Sequence, residues 1–145
     1  MSEPGKLVEQ DAKLKPLPET DQEWRERLDR AAYEVLRRQG TERAFTGKYV
    51  DTDLDGIYRC AGCGQQLFAS DTKFHSGCGW PSFTEALPEA VRLLEDDSYG
   101  MHRVEVRCSR CDSHLGHVFN DGPIDRGGMR WCINSVSIDL DQQQR

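Results

Sequence analysis

The chemistry of this chain lies first in its six cysteines, and their spacing sorts them. Cys60-Ala61-Gly62-Cys63 and Cys108-Ser109-Arg110-Cys111 are two C-x-x-C knuckles, and four thiolates in two such knuckles are what a tetrahedral zinc ion takes. Cys78 and Cys132 are left over as two lone thiols with no metal to bind, and a spare pair of this kind suggests redox chemistry.

Each knuckle has a small or flexible residue between or after its cysteines, which lets the backbone curl around an ion. The 44 residues between Cys63 and Cys108 exceed the usual zinc-ribbon separation, which weakens the match to a ribbon but not to a four-cysteine site. A redox C-x-x-C, or two pairs of free buried thiols, are the other readings; the second knuckle argues against an unrelated redox pair. Four thiolates leave zinc no open position, so one ion per chain would serve structure.

Cys132 sits in Arg130-Trp131-Cys132-Ile133-Asn134-Ser135. In a strand, alternate residues share a side, so Arg130 and Asn134 flank the thiol while Trp131 and Ile133 face away. A guanidinium beside a thiol favours the nucleophilic thiolate. Taken from this strand alone, Cys132 reads as an ordinary small core residue; other motifs shift that reading. Ser76-Gly77-Cys78-Gly79-Trp80-Pro81-Ser82-Phe83 places a second sulfur on a turn loosened by glycines, as a resolving cysteine requires. Trp80 is either a core aromatic or an apolar wall for a substrate methyl group. His114 and His117, in His114-Leu115-Gly116-His117-Val118-Phe119, could orient an oxygen or a water and supply a proton, although His114 singly reads as a structural histidine. His75 and His102 read as surface residues.

The elements that must position these groups are mostly strands. Thr20-Asp21-Gln22-Glu23 matches a capping box, and Trp24, Leu28, Ala32, Val35 and Leu36 recur on one face, so one helix runs from Thr20 through Arg37 and Arg38 to a stop at Gly40. From Gly47 onward, short runs bounded by turn residues read as antiparallel strands: Gly56–Arg59, Gln66–Phe68, Ala90–Leu94, Arg103–Arg107, His117–Phe119 and Trp131–Leu140. Residues 1–19, punctuated by Pro4, Pro16 and Pro18, read as a mobile or loosely docked arm, 20–140 as one domain, and 141–145 as a frayed tail.

At 145 residues the chain can bury a core without disulfides. A net charge of −6 gives no pointer to nucleic acid or an anionic membrane, so small neutral substrates or protein partners fit better. Met1-Ser2-Glu3-Pro4-Gly5-Lys6 has no basic region followed by an apolar stretch and no segment is long and apolar enough to span a bilayer, so a cytoplasmic location is expected; a monomer is expected separately.

On these motifs the chain resembles the methionine-R-sulfoxide reductases of the B type, from about Thr41 to Asp139. The resemblance is carried by Tyr58-Arg59-Cys60-Ala61-Gly62-Cys63-Gly64, Gly77 to Phe83, His114 to Phe119, Asp121-Gly122-Pro123 and Arg130 to Ser135. It implies a mainly β fold, with two small antiparallel sheets as a β-sandwich or partial barrel, an N-terminal helix packed on them, and a four-cysteine zinc site. It implies Cys132 as nucleophile, Cys78 as recycling cysteine where many members have threonine, and Cys60, Cys63, Cys108 and Cys111 as zinc ligands. Trp80 matches the ring that receives the sulfoxide methyl, and His117 and Asn134 match residues that position the oxygen through water. His114, Phe119 and Arg130 join the substrate-binding set. Trp131 departs from the family's common tyrosine on the face turned away from Cys132. The activity implied is reduction of the R epimer of methionine sulfoxide, mainly in oxidised proteins, through a sulfenic acid and a disulfide recycled by thioredoxin.

Two other functions compete. A zinc-ribbon-like binding module would need no Cys132, Cys78, His117 and Trp80 together. A peroxide-reducing thiol protein would use the same sulfenic acid but needs no aromatic for a methyl group.

Overall fold

A computed structural model of the chain describes residues 12–142. The expectations for residues 1–11 and for Gln143, Gln144 and Arg145 lie outside the described residues. Residues near the start of the described chain lie against the first knuckle: Lys15 N donates to Cys63 O at 2.8 Å, and Lys13 pairs with Asp141.

The helical segment is two helices, α1 (Asp21–Arg27) and α2 (Arg30–Leu36), where a single run was expected. The capping box on Thr20 is present, with Glu23 closing it. The break lies at Leu28, whose backbone is extended, and Asp29, whose carboxylate accepts from Ala32 N and starts α2 anew. An aspartate two turns into an amphipathic run offers the backbone a cap, and here the cap wins. The break leaves the apolar face aligned: Trp24, Ala32, Val35 and Leu36 are all buried.

Nine strands follow: β1 (Ile57–Cys60), β2 (Gln66–Ala69), β3 (Lys73–Phe74), β4 (Ser82–Phe83), β5 (Val91–Asp96), β6 (Arg103–Cys108), β7 (His114–Phe119), β8 (Arg130–Ile133) and β9 (Ile138–Asp141). They form a three-stranded sheet, β2-β1-β9, and a six-stranded sheet, β3-β4-β8-β7-β6-β5. Every pairing is antiparallel. The expected strand Trp131–Leu140 is split by a 3₁₀ turn at Ser135–Ser137, so β8 pairs in the large sheet and β9 in the small one. Asp141 belongs to β9, opposite Ile57.

The two sheets share one core, in which Tyr58, Leu67, Phe68, Phe83, Leu115 and Ile133 have no solvent exposure. Phe68 and Phe83 stack with centroids 4.4 Å apart, and Trp131 meets the Phe68 ring at 6.2 Å. Trp131 thus packs inward on the face of β8 opposite Cys132, as strand alternation requires.

Candidate active site

Cys132 occupies the middle of β8, with Ser82 of β4 opposite on one side and His117 of β7 on the other. It opens onto a cavity of about 210 Å³ walled by Thr41, Cys78, Trp80, Arg103, Gly116, His117, Phe119, Arg130, Cys132 and Asn134. All the predicted catalytic and substrate-binding residues except His114 meet there. Arg130, Cys132 and Asn134 line the same cavity, as their alternation along the strand implies.

Cys78 reaches Cys132 from the loop between β3 and β4, with their Sγ atoms 3.7 Å apart. Gly77 and Gly79 flank it in left-handed conformations, at φ 81° and 100°, which side-chain-bearing residues seldom adopt. A Cβ on Gly79 would also come within 2.7 Å of Ala44 Cβ, so glycine is what lets this loop lie against residues 42–45. Phe45 N donates to Gly79 O at 2.7 Å, and Trp80 Nε1 donates to Glu42 O at 3.1 Å. Glu42 N in turn donates to Asn134 Oδ1 at 3.0 Å, while Asn134 Nδ2 donates to Leu115 O at 3.0 Å. The segment leaving the helices therefore fixes both Trp80 and Asn134.

The two sulfurs divide one proton unequally. The hydrogen bond from Cys132 holds the Cys78 thiol down, to about 4, with Ser76 and Ser82 assisting against burial. The same contact with Cys78, then burial, pushes Cys132 up, and Arg130 opposes that rise. Arg130 is set by a two-pronged pairing with Asp121, at 2.9 and 3.1 Å, and by the Phe119 ring 4.5 Å beneath its guanidinium.

The two expected histidines divide. His117 faces the cavity and donates from Nε2 to Asp96 at 2.8 Å; burial pulls its pKa down, against the Asp96 hydrogen bond. His114 lies behind it, rings 5.5 Å apart, and bonds through Nδ1 to the buried Glu105 at 2.7 Å. It does not line the cavity. His75 and His102 are exposed and paired with Asp53 and Asp97.

Arg103, Thr41 and Asp96 were not singled out from sequence. Arg103 and Glu105 alternate along β6, and Glu105 falls opposite His117, a pairing that strand period combined with register would expose. Thr41 and Glu42 carry no local signal, because only the folded path of the connection after α2 brings them to Trp80 and Asn134.

The four knuckle cysteines converge away from this cavity, with their sulfurs all within 4.8 Å of one another and all buried. Cys60 and Cys111 are 3.6 Å apart, as are Cys63 and Cys108. A tetrahedron with metal–sulfur bonds of about 2.3 Å has edges of about 3.8 Å, so these thiols are placed to bind a metal ion. The backbone turns that present them are alike: Gly64 N returns to Cys60 O and Asp112 N to Cys108 O, with Gly64 and Asp112 both left-handed. Aspartate tolerates that conformation better than most residues.

Residues 28–142 match the family model described as the SelR domain. The chain is 58% identical over 122 residues to a peptide methionine sulfoxide reductase MsrB of Thiobacillus denitrificans, covering 83% of this chain and 92% of that protein. It is 52% identical over 126 residues to an MsrB of a Synechococcus species, covering 86% and 92%. An MsrB of Methanosarcina barkeri is 52% identical over 131 residues, covering 90% and 92%. The chain belongs to the SelR-domain family, the methionine-R-sulfoxide reductases of the B type. It is accordingly an oxidoreductase, of the peptide-methionine (R)-S-oxide reductase class.

Proposed function

We propose that the chain reduces methionine-R-sulfoxide in oxidised proteins with Cys132 as nucleophile and Cys78 as resolving cysteine, and that thioredoxin returns the pair to the dithiol. The observation that carries this reading is the 3.7 Å approach of the two sulfurs at the wall of a cavity that also holds Trp80, His117, Asn134 and Arg130.

Cys132 reacts as the thiolate, its proton passing to solvent or to Cys78, and Arg130 stabilises that thiolate. That thiolate attacks the electrophilic sulfoxide sulfur, with the substrate methyl group against Trp80 and the oxygen on the side of His117 and Asn134. As the oxygen is protonated and passes to Cys132, methionine leaves, the substrate has gained two electrons, and Cys132 is a sulfenic acid. Cys78 attacks that sulfur, water departs, and a Cys78–Cys132 disulfide forms. A dithiol protein then reduces it by exchange and is itself oxidised to a disulfide. A site that separates methyl from oxygen admits one hand at sulfur, which supports the preference for the R epimer. Asn134 contributes its remaining N–H, because its other amide groups are held by Glu42 and Leu115.

Zinc is the proposed occupant of the four-cysteine site, where it would hold the turn after β1 to the turn between β6 and β7 and take no part in the chemistry. Six unbridged cysteines suit a reducing compartment such as the cytoplasm, and a site built within one chain suits a monomer. No helix among the described residues is long and apolar enough to cross a membrane.

The test is turnover of stereochemically defined, N-blocked methionine sulfoxide with dithiothreitol, comparing the intact chain with Cys132→Ser. R-specific turnover that the variant lacks is expected. Activity in Cys132→Ser above a few per cent of the intact chain would remove that residue as nucleophile. No turnover by folded, metal-replete protein would favour a binding module.

A further inference from the structure

Asp96, the last residue of β5, stands opposite Arg103, the first of β6, and its carboxylate gathers four hydrogen bonds. It accepts from Ser98 N at 3.0 Å, Ser98 Oγ at 2.7 Å, Arg103 Nη2 at 3.3 Å and His117 Nε2 at 2.8 Å. With the Ser98 hydroxyl first and His117 next, these bonds keep the carboxyl far below its ordinary pKa, so it is ionised throughout the working range. An ionised carboxylate only accepts, so the ring proton of neutral His117 is on Nε2 and its lone pair is on Nδ1. Among the described residues, none forms a hydrogen bond with that Nδ1, and the ring it belongs to is part of the wall around Cys132.

The second imidazole shows that this choice is not fixed by the strand. His114 bonds its carboxylate, Glu105, through Nδ1, the opposite nitrogen, although both histidines lie on β7. Each ring's tautomer is thus set by the acid that reaches it, Glu105 from the adjacent strand β6 and Asp96 from the end of β5, one strand further out. Asp96 can reach His117 because Ser98, in the turn between β5 and β6, and Arg103 hold its carboxylate in place.

We propose that Asp96 is a positioning residue of the reaction: it fixes the tautomer and ring plane of His117, so that the lone pair on Nδ1 is the one offered to a water that hydrogen-bonds the sulfoxide oxygen. This rests on the reading of His117 given above. The neutral ring so held cannot donate from Nδ1; it accepts from water, and the water donates to the oxygen as the sulfur–oxygen bond weakens. Without the carboxylate, either nitrogen could carry the proton, and in the Nδ1–H form the water is turned around, with its lone pair toward His117.

The experiment combines imidazole ¹⁵N chemical shifts with steady-state rates on N-acetylmethionine-R-sulfoxide and dithiothreitol. It uses the intact chain, Asp96→Asn and Asp96→Glu, with His117→Asn alongside. In the intact chain the shifts are expected to place the proton of His117 on Nε2. In Asp96→Asn the Nδ1–H form should appear and kcat fall about tenfold, the lower end of what the carboxylate partners of metal-bound histidines contribute, taken as the scale for an oriented imidazole. KM should stay within about twofold, as for an interaction that matters only in the transition state. Asp96→Glu, which restores an acceptor-only partner, should recover part of the rate. A proton on Nδ1 in the intact chain would overturn the proposal whether or not any variant folds, and so would an unchanged tautomer or kcat in Asp96→Asn. Full turnover by His117→Asn would remove the role of His117 itself; loss there beside full turnover in Asp96→Asn would remove only the part given to Asp96.

Discussion

The sulfurs of Cys78 and Cys132 lie 3.7 Å apart although the residues are 54 positions apart in the chain, and each changes the other's proton affinity. A disulfide needs Cα atoms about 4.4–6.8 Å apart and Cβ vectors that converge, and the close approach of the two sulfurs is one of the conditions such a bond must meet. In the proposed cycle Cys78 thus already stands beside the sulfur that it would resolve.

Cys78→Ser should therefore separate the two halves of the cycle. A single turnover per chain is expected to survive, with the sulfenic acid of Cys132 captured by a dimedone adduct, while thioredoxin-driven cycling stops. The variant should also lose the thiolate absorbance that Cys78 contributes from about pH 4 upward in the intact chain. Undiminished cycling with thioredoxin would mean that another cysteine resolves Cys132.

Replacing Cys60 by serine removes one of four buried sulfurs that hold two distant turns together. Structural zinc sites couple metal affinity to folding, so metal loss should be accompanied by loss of much of the roughly 5–15 kcal/mol that stabilises a domain. Metal content by emission spectroscopy and the thermal midpoint should fall together. A midpoint equal to that of the intact chain would argue against the metal.

Gly116 pairs with Ile133, and a Cβ there would come within 2.0 Å of the carbonyl oxygen of Cys132. The contact is backbone, with no flexible side chain to yield, so Gly116→Ala must push β8 away from β7. A loss of about 1–3 kcal/mol is expected, as for other overpacked interiors. Turnover should fall with it, because Cys132 moves relative to His117. Gly127→Ala is the comparison: it meets nothing within 4 Å, and its φ of 102° strains the exposed turn without touching the cavity. Denaturant melts and rates on both variants decide whether the Gly116 effect is local to the site.

Glu105 is buried and accepts from His114, Arg107 and Gln39. Burial raises its pKa, but these hydrogen bonds outweigh burial and bring it from 4.5 to about 2. A carboxyl depressed in the folded state adds stability that is complete above its unfolded pKa and is lost as pH falls through its folded one. The window is therefore from about pH 4.5 down to about pH 2. Glu105→Gln should be less stable at neutral pH, on the order of 3 kcal/mol at about 1.4 kcal/mol per pH unit, and its stability should fall less steeply across that window. Parallel stability curves for the two proteins would rule out this contribution.

The sequence alone determined most of the side chains that meet at the cavity, though not Thr41 or Arg103. Cysteine pairing by spacing separates the four thiols placed to bind a metal ion from the two others, and alternation along Arg130 to Asn134 places guanidinium, thiol and amide on one side. Both patterns are local, so they can be read without knowing the fold. The helix break at Leu28-Asp29 was local too, but it is a competition between an amphipathic run and an aspartate cap, which periodicity by itself does not resolve. The two-residue strands β3 and β4 are too short to show a period, yet they carry the loop that delivers Cys78. Only the tertiary structure decided the rest: that Cys78 meets Cys132, that Glu42 fixes Trp80 and Asn134, and that Asp96 and Glu105 take opposite nitrogens of two histidines on one strand. Those contacts join residues 9 to 92 positions apart, and strand register and chain path bring them together. Residue types fix what chemistry is available, whereas the proton each group carries depends on which partner the fold places within about 3 Å of it.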